Sequence, residues 1–167
     1  AKSSWKDEGQ ADHERPLNPR GQRTAPRMGR LLDEQGLTPD AIFCSTARRA
    51  QETAQLANAE TGWAAPIIYL EALYLAPPET YFEVLRAQGD PADRCLVIGH
   101  NPGMQSLATL LAAGRGEAAW ARSEKKFPTA ALATLVFRGS SWKELGPGTC
   151  ELHSLIRPRD IRVHRSG

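Results

Sequence analysis

His100 stands between an apolar run and a proline turn, in Val97-Ile98-Gly99-His100-Asn101-Pro102-Gly103. An imidazole there can donate a hydrogen bond to an anion or exchange a proton near neutral pH. Arg48 and Arg49 follow a similar run, Ala41-Ile42-Phe43-Cys44 with Ser45-Thr46 as a turn or helix cap. Cations at a helix start oppose the helix dipole unless an anion sits among them, where guanidinium forks and free backbone N–H groups converge on the same oxygens. Each residue has a plainer alternative: a core histidine held by hydrogen bonds, or a solvated basic pair bridged to Asp40 or Glu52. Two strand ends loaded in the same way favour a site.

The elements that must position these residues alternate strand and helix. Cys95-Leu96-Val97-Ile98 is short and rich in branched residues, as in a parallel strand buried on both faces, and Met104, Leu107, Leu110 and Leu111 follow at helical spacing. His100 then lies at the carboxyl end of a strand, where open α/β sheets bind ligands. Ala50, Thr53, Ala54 and Ala57 mark a helix running to about Thr61. Asn18-Pro19 starts another, through Ala25, Met28, Leu31 and Leu32 to Gly36, with Pro26 falling early or kinking it. Ile67–Leu70 reads as a strand and Glu79–Ala87 as a helix, with Ala130–Phe137 and Thr149–Ile156 as late strands. The alternation predicts an α/β fold, a mostly parallel sheet covered by helices on both faces.

Together these motifs carry a family resemblance. Ser45-Thr46-Ala47-Arg48-Arg49-Ala50-Gln51-Glu52-Thr53-Ala54 resembles the Ser-Pro-x-x-Arg-Ala-x-x-Thr-Ala signature of the histidine phosphatase superfamily, which includes phosphoglycerate mutases. Gly99-His100-Asn101-Pro102 is similar to its second catalytic histidine motif. Ala1-Lys2-Ser3-Ser4-Trp5, Asp12-His13-Glu14-Arg15-Pro16-Leu17-Asn18-Pro19-Arg20-Gly21 and Phe127-Pro128-Thr129-Ala130-Ala131-Leu132-Ala133 resemble the small phosphohistidine phosphatase (SixA-like) branch. The segments follow the family's order over nearly the whole chain, which implies a three-layer αβα sandwich of phosphoglycerate mutase-like type.

One departure stands beside these matches. The family's nucleophilic histidine lies in Arg-His-Gly or Arg-His-Ala at the end of the first strand, and this sequence begins at that alanine. His13 in a polar loop, His153 in a late strand and His164 in a basic tail do not follow an arginine at a strand end, so none takes the role. Residues 1–167 are thus expected to form a single histidine phosphatase domain lacking its first strand. That strand is central in the family, and unsatisfied buried backbone groups cost roughly 1 to 3 kcal/mol each against a total stability of about 5 to 15 kcal/mol. About ten further residues ending in Arg-His are therefore expected upstream; a truncated protein with another element in the gap is the alternative.

By the resemblance, Arg49 clamps a phosphoryl group together with the upstream arginine. His100 donates a hydrogen bond to it, and the upstream histidine attacks, forming a phosphohistidine that water hydrolyses. Lys2, Ser3, Ser4 and Asn101 are expected to border the phosphate, the serines serving equally well as turn caps. Glu79, after Ala76-Pro77-Pro78, is the first candidate for a general acid and Glu71 the second, each with a solvated carboxylate as the alternative. The expected substrate is protein phosphohistidine, whose imidazole leaves more easily than an alkoxide. A small phosphorylated molecule is the alternative, and a non-catalytic phospho-ligand-binding protein the alternative of another class.

Composition narrows the rest. A length of 167 residues, 41 % of them hydrophobic, suits one core. A net charge of +2 with scattered basic residues argues against a nucleic-acid partner, the Arg-rich end Arg157–Arg165 reading as a solvated tail. Cys44, Cys95 and Cys150 read as small buried residues rather than a disulfide set or metal site, so no metal and no cofactor is expected. No apolar run reaches membrane length, and a cytoplasmic location is expected. Trp5, Trp63, Trp120 and Trp142 show no regular spacing and read as packing residues.

Overall fold

The computed structural model describes residues 1–6, 9–112 and 127–161; Trp120, His164 and the end of the basic tail lie outside them. Helix α1 (Pro19–Glu34) begins where expected, with the Asn18 side chain accepting from the Gly21 N–H at 2.9 Å and Pro19 in the first turn. Pro26 lies within it. Strand β1 (Ala41–Ser45), helix α2 (Arg48–Thr61), strand β2 (Ile67–Leu70), helix α3 (Pro78–Gln88), strand β3 (Cys95–Ile98) and helix α4 (Gly103–Leu111) follow. Strands β4 (Leu132–Phe137) and β5 (Cys150–Ile156) end the described fold, each starting slightly later than the apolar pattern suggests.

β1 is the centre of a parallel sheet in the order β2-β1-β3, with Ser45 opposite Leu70 and Cys44 opposite Ile98. It is buried throughout, as a strand covered on both faces must be. Alternate side chains enter different layers. Ile42 packs with Leu32, Ala57 and Trp63 from the α1 and α2 side, and Cys44 with Ala50 and Ala54 of α2. Phe43 points the other way, into Leu73, Tyr81, Phe82, Leu85, Leu107 and Leu111 on the α3 and α4 side. The period of two along the strand thus builds the three layers.

β4 and β5 form a separate antiparallel pair with an irregularity between Thr134 and Leu135. Among the described residues β3 pairs only with β1 and β4 only with β5. Between these two strands lies a cavity of about 820 Å³, lined by Leu96, Val97, Leu107, Leu111, Leu132 and Leu135 among others. No helix of the described residues is long and apolar enough to cross a membrane.

Candidate active site

The carboxyl ends of β1 and β3 bring Ser45 and His100 together, since the two strands are parallel neighbours. His100 Nε2 lies 2.7 Å from Ser45 Oγ, and Arg49, in the first turn of α2, places Nη2 3.4 Å from His100 Nδ1. A guanidinium only donates, so Nδ1 accepts and the ring proton sits on Nε2, donated to Ser45. Ser45 ends β1 and also accepts from the Ala47 N–H at 3.2 Å; the residue capping α2 is Ala47, which makes no side-chain cap. His100 is 8 % exposed. Burial, and then the Arg49 charge, push its pKa down to about 4 against a smaller opposing pull from Asp12. It is neutral in the free protein at neutral pH.

Close packing holds this histidine in place. The Tyr81 hydroxyl accepts from the His100 backbone N–H at 3.3 Å and contacts the Leu73 carbonyl at 3.5 Å. A side chain at Gly99 would meet that hydroxyl at 2.2 Å, and one at Gly103 would meet the Ala76 carbonyl at 1.9 Å. The two glycines around His100 let the loop lie flat on α3 and the segment before it. Pro102 precedes α4 rather than joining its first turn, and the His100 carbonyl accepts from Met104 N–H at 3.0 Å.

A carboxylate already occupies the cationic side of the site. Arg49 donates to the Asp12 carbonyl at 2.7 Å and to its Oδ2 at 3.0 Å, Tyr74 donates to the same oxygen at 2.7 Å, and Arg15 donates to Oδ1 at 2.7 Å. The Tyr74 hydroxyl foremost, with Arg49 and Arg15, holds this carboxyl below the usual carboxylate range. The Tyr74 ring stands edge-on to two imidazoles, with centroids 4.9 Å from His13 and 5.6 Å from His100. His13 belongs to a 3-10 turn (Asp12–Glu14) docked on the site, rather than to a detached polar loop. Its Nε2 lies 3.0 Å from Thr46 Oγ1 and its Nδ1 2.7 Å from Glu14 Oε1.

The structure thus gathers Arg49 and His100 from the residues the sequence singles out, and adds Asp12, His13, Ser45 and Tyr74. Asp12 and His13 were within a quoted motif but carried no chemical pattern of their own. Tyr74 had no local signal. Arg48 turns away to Glu52 at 2.9 Å, as the plainer reading of the basic pair has it. Ser3 bridges to Leu17 and its hydroxyl accepts from Arg15, while Ser4 Oγ accepts from the Lys6 N–H at 3.3 Å. Lys2 is exposed, and its carbonyl accepts from Asn18 N–H at 3.0 Å. Asn101 donates to the Phe127 carbonyl at 2.8 Å, leaving its Oδ1 buried with no partner among the described residues. Glu79, in the first turn of α3, and Glu71, in the 3-10 turn Glu71–Leu73, are both exposed. No hydrogen bond or ion pair joins either side chain to Arg49 or His100 among the described residues.

Arg49, Arg15 and Tyr74 converge on an internal carboxylate beside His100, an arrangement that can seat an anion, and known proteins resemble this chain in the same sense. The family model of the histidine phosphatase superfamily (branch 1) matches residues 1–74. An uncharacterized protein of Mycobacterium tuberculosis is 42 % identical over 161 residues, spanning 95 % of this chain and 98 % of that one. Among solved structures, a candidate phosphohistidine phosphatase SixA from Agrobacterium tumefaciens superposes with a TM-score of 0.76 at 28 % identity, covering 95 % of this chain and 93 % of that one. A similar candidate from Nakamurella gives 0.78 at 26 % identity, covering 95 % and 91 %.

Proposed function

The chain belongs to the histidine phosphatase superfamily, in its SixA-like branch, and on that premise we propose that it hydrolyses protein phosphohistidine through a covalent phosphohistidine intermediate. One observation carries the reading: Arg49 and His100 meet at adjacent strand ends, and the guanidinium already holds a carboxylate there. A phosphoryl group replacing Asp12 would find the same donors around its equatorial oxygens. The arriving phosphoryl group draws Arg49 away from Nδ1 onto its own oxygens and raises the basicity of His100, which then takes a proton at Nδ1 and donates it as a hydrogen bond to phosphoryl oxygen. Lys2, exposed on the segment leading into the site, adds positive charge.

The attacking histidine is proposed to lie upstream of Ala1, in a strand filling the cavity between β3 and β4. Supporting this are the cavity's apolar lining, the strands that border it, and the Ala1 nitrogen, which donates to Thr53 Oγ1 at 2.9 Å one helical turn from Arg49. A residue preceding Ala1 would stand beside the guanidinium. Its imidazole nitrogen forms a bond to phosphorus as the bond to the leaving group breaks; water then attacks phosphorus, the P–N bond breaks, and phosphate departs. Arg49 and the histidines supply the positive charge, so the reaction is proposed to need no metal. The similarity to candidate SixA proteins supports phosphohistidine as substrate. So does the economy of the stretch from Arg49 to His100, where Glu71–Pro77 links β2 to α3 close to the site. Three free cysteines suit a reducing, cytoplasmic setting.

The test is to mix the full-length protein with a phosphohistidine-bearing phosphocarrier protein, quench rapidly, and measure intact mass. A gain of one phosphoryl group that is acid-labile and decays to free phosphate is expected. Turnover without a labelled enzyme would remove the covalent step. Binding of phosphate without turnover of any phosphorylated substrate would support a non-catalytic protein.

A further inference from the structure

We infer that His13, held between Glu14 and Thr46, is the proton donor to the leaving group, which extends the substrate class from phosphohistidine to unactivated phosphomonoesters; the inference rests on the phosphatase reading above. The ring is held at both nitrogens. Nδ1 faces the Glu14 carboxylate at 2.7 Å and Nε2 faces the Thr46 hydroxyl at 3.0 Å, so carboxylate, imidazole and hydroxyl stand in line as in proton-transfer triads. Thr46 occupies a position that the family signature fills with proline, which offers no hydroxyl. The turn carrying His13 is pinned to the phosphate clamp, because Arg49 donates to the Asp12 carbonyl, the peptide group that joins Asp12 to His13.

The ring also faces solvent. Its side chain is 34 % exposed while His100 is buried, and Tyr74 stands between the two imidazoles. A leaving group must depart away from the nucleophile and toward solvent, past this rim. Glu79 lies in the first turn of α3 and makes no hydrogen bond or ion pair to Arg49 or His100 among the described residues. The charged and titratable groups around His13 are Glu14 and Asp12 from its own turn and Arg15 just after it, Tyr74 from the segment after β2, Arg49 from α2 and His100 after β3.

The proton balance closes over one turnover. As the bond from phosphorus to the alkoxide oxygen breaks, His13 Nε2–H gives its proton to that oxygen, and the neutral ring keeps its Nδ1 proton on Glu14. In the second step water attacks the phosphoenzyme, its proton passes to His13 Nε2, and phosphate leaves with the donor restored.

Full-length wild type, His13→Gln and Glu14→Gln are to be compared on p-nitrophenyl phosphate, whose leaving group departs as a stable anion, and on ethyl phosphate, whose leaving group needs a proton. For His13→Gln we expect kcat/KM on ethyl phosphate to fall ~10²-fold, with p-nitrophenyl phosphate changing less than about threefold. Glu14→Gln removes the carboxylate that positions Nδ1 and should lower kcat/KM on ethyl phosphate about tenfold, with p-nitrophenyl phosphate again changing less than about threefold. Equal losses on both substrates in either variant would reduce His13 to a structural residue. Wild type that cleaves p-nitrophenyl phosphate but not ethyl phosphate has no proton donor, and that overturns the inference alone. Wild type that cleaves neither ester nor phosphohistidine overturns the phosphatase reading and this inference with it.

Discussion

Asp12 is joined to Arg49 twice, through its carboxylate at 3.0 Å and through its backbone carbonyl at 2.7 Å. The two contacts do different things. The carbonyl fixes the turn that carries His13, whereas the carboxylate occupies the guanidinium face proposed to receive phosphate.

Asp12→Asn separates those roles, because it keeps the carbonyl and removes the charge. Inorganic phosphate, measured as a competitive inhibitor, should bind several-fold more tightly, a change on the order of 1 kcal/mol given that the Asp12 side chain is 44 % exposed. Weaker phosphate binding would show instead that the carboxylate is needed to hold the guanidinium in position.

Arg49→Ala and His100→Ala should each lower phosphatase turnover by ~10²-fold or more with the fold retained. Arg48→Ala should cost less than about threefold, since this side chain makes an i, i+4 pair with Glu52 on the helix surface. Steady-state kinetics with circular dichroism as a folding control decides. Equal damage from the two arginines would mean that Arg48 also reaches the phosphate.

Ser45 gives a test of how His100 is held. Its hydroxyl is buried and accepts the Nε2 proton, so Ser45→Ala leaves a buried N–H without its partner, at a cost of roughly 1 to 3 kcal/mol. The melting temperature should drop and turnover should fall with it as the ring loses its fixed tautomer. An unchanged melting temperature would show that another group takes the proton.

The pH dependence of stability follows from the same ring. His100 titrates at about 4 when folded, against 6.5 for an ordinary histidine, so between these limits the unfolded chain binds more protons than the folded one. Its contribution is therefore fully present above pH 6.5 and is lost as pH falls toward 4, a swing of roughly 3 kcal/mol at most. Urea unfolding across this range should show stability rising with pH, with a shallower slope in His100→Gln. The same slope in both proteins would place the proton uptake elsewhere.

The periodicities along this chain were enough to place α1, β1, α2, β2, α3 and β3 within a few residues. Local signals sufficed there: Asn18-Pro19 starts a helix wherever it is exposed, and Ala41–Ser45 has no polar face to offer water. Arg49 and His100 were legible for a related reason, since each lies within a few residues of the end of an apolar strand and a site at strand ends needs no knowledge of distant residues. Tertiary structure alone decided the rest. Asp12, His13 and Tyr74 lie on short irregular segments whose backbone has no period, and their roles come from contacts with Arg49, Thr46 and His100, many residues away in sequence. The orientation of the His100 ring is of the same kind. It depends on β1 and β3 lying side by side and parallel, a pairing that no window of sequence contains, and only then does a buried Ser45 hydroxyl meet Nε2 and a guanidinium meet Nδ1.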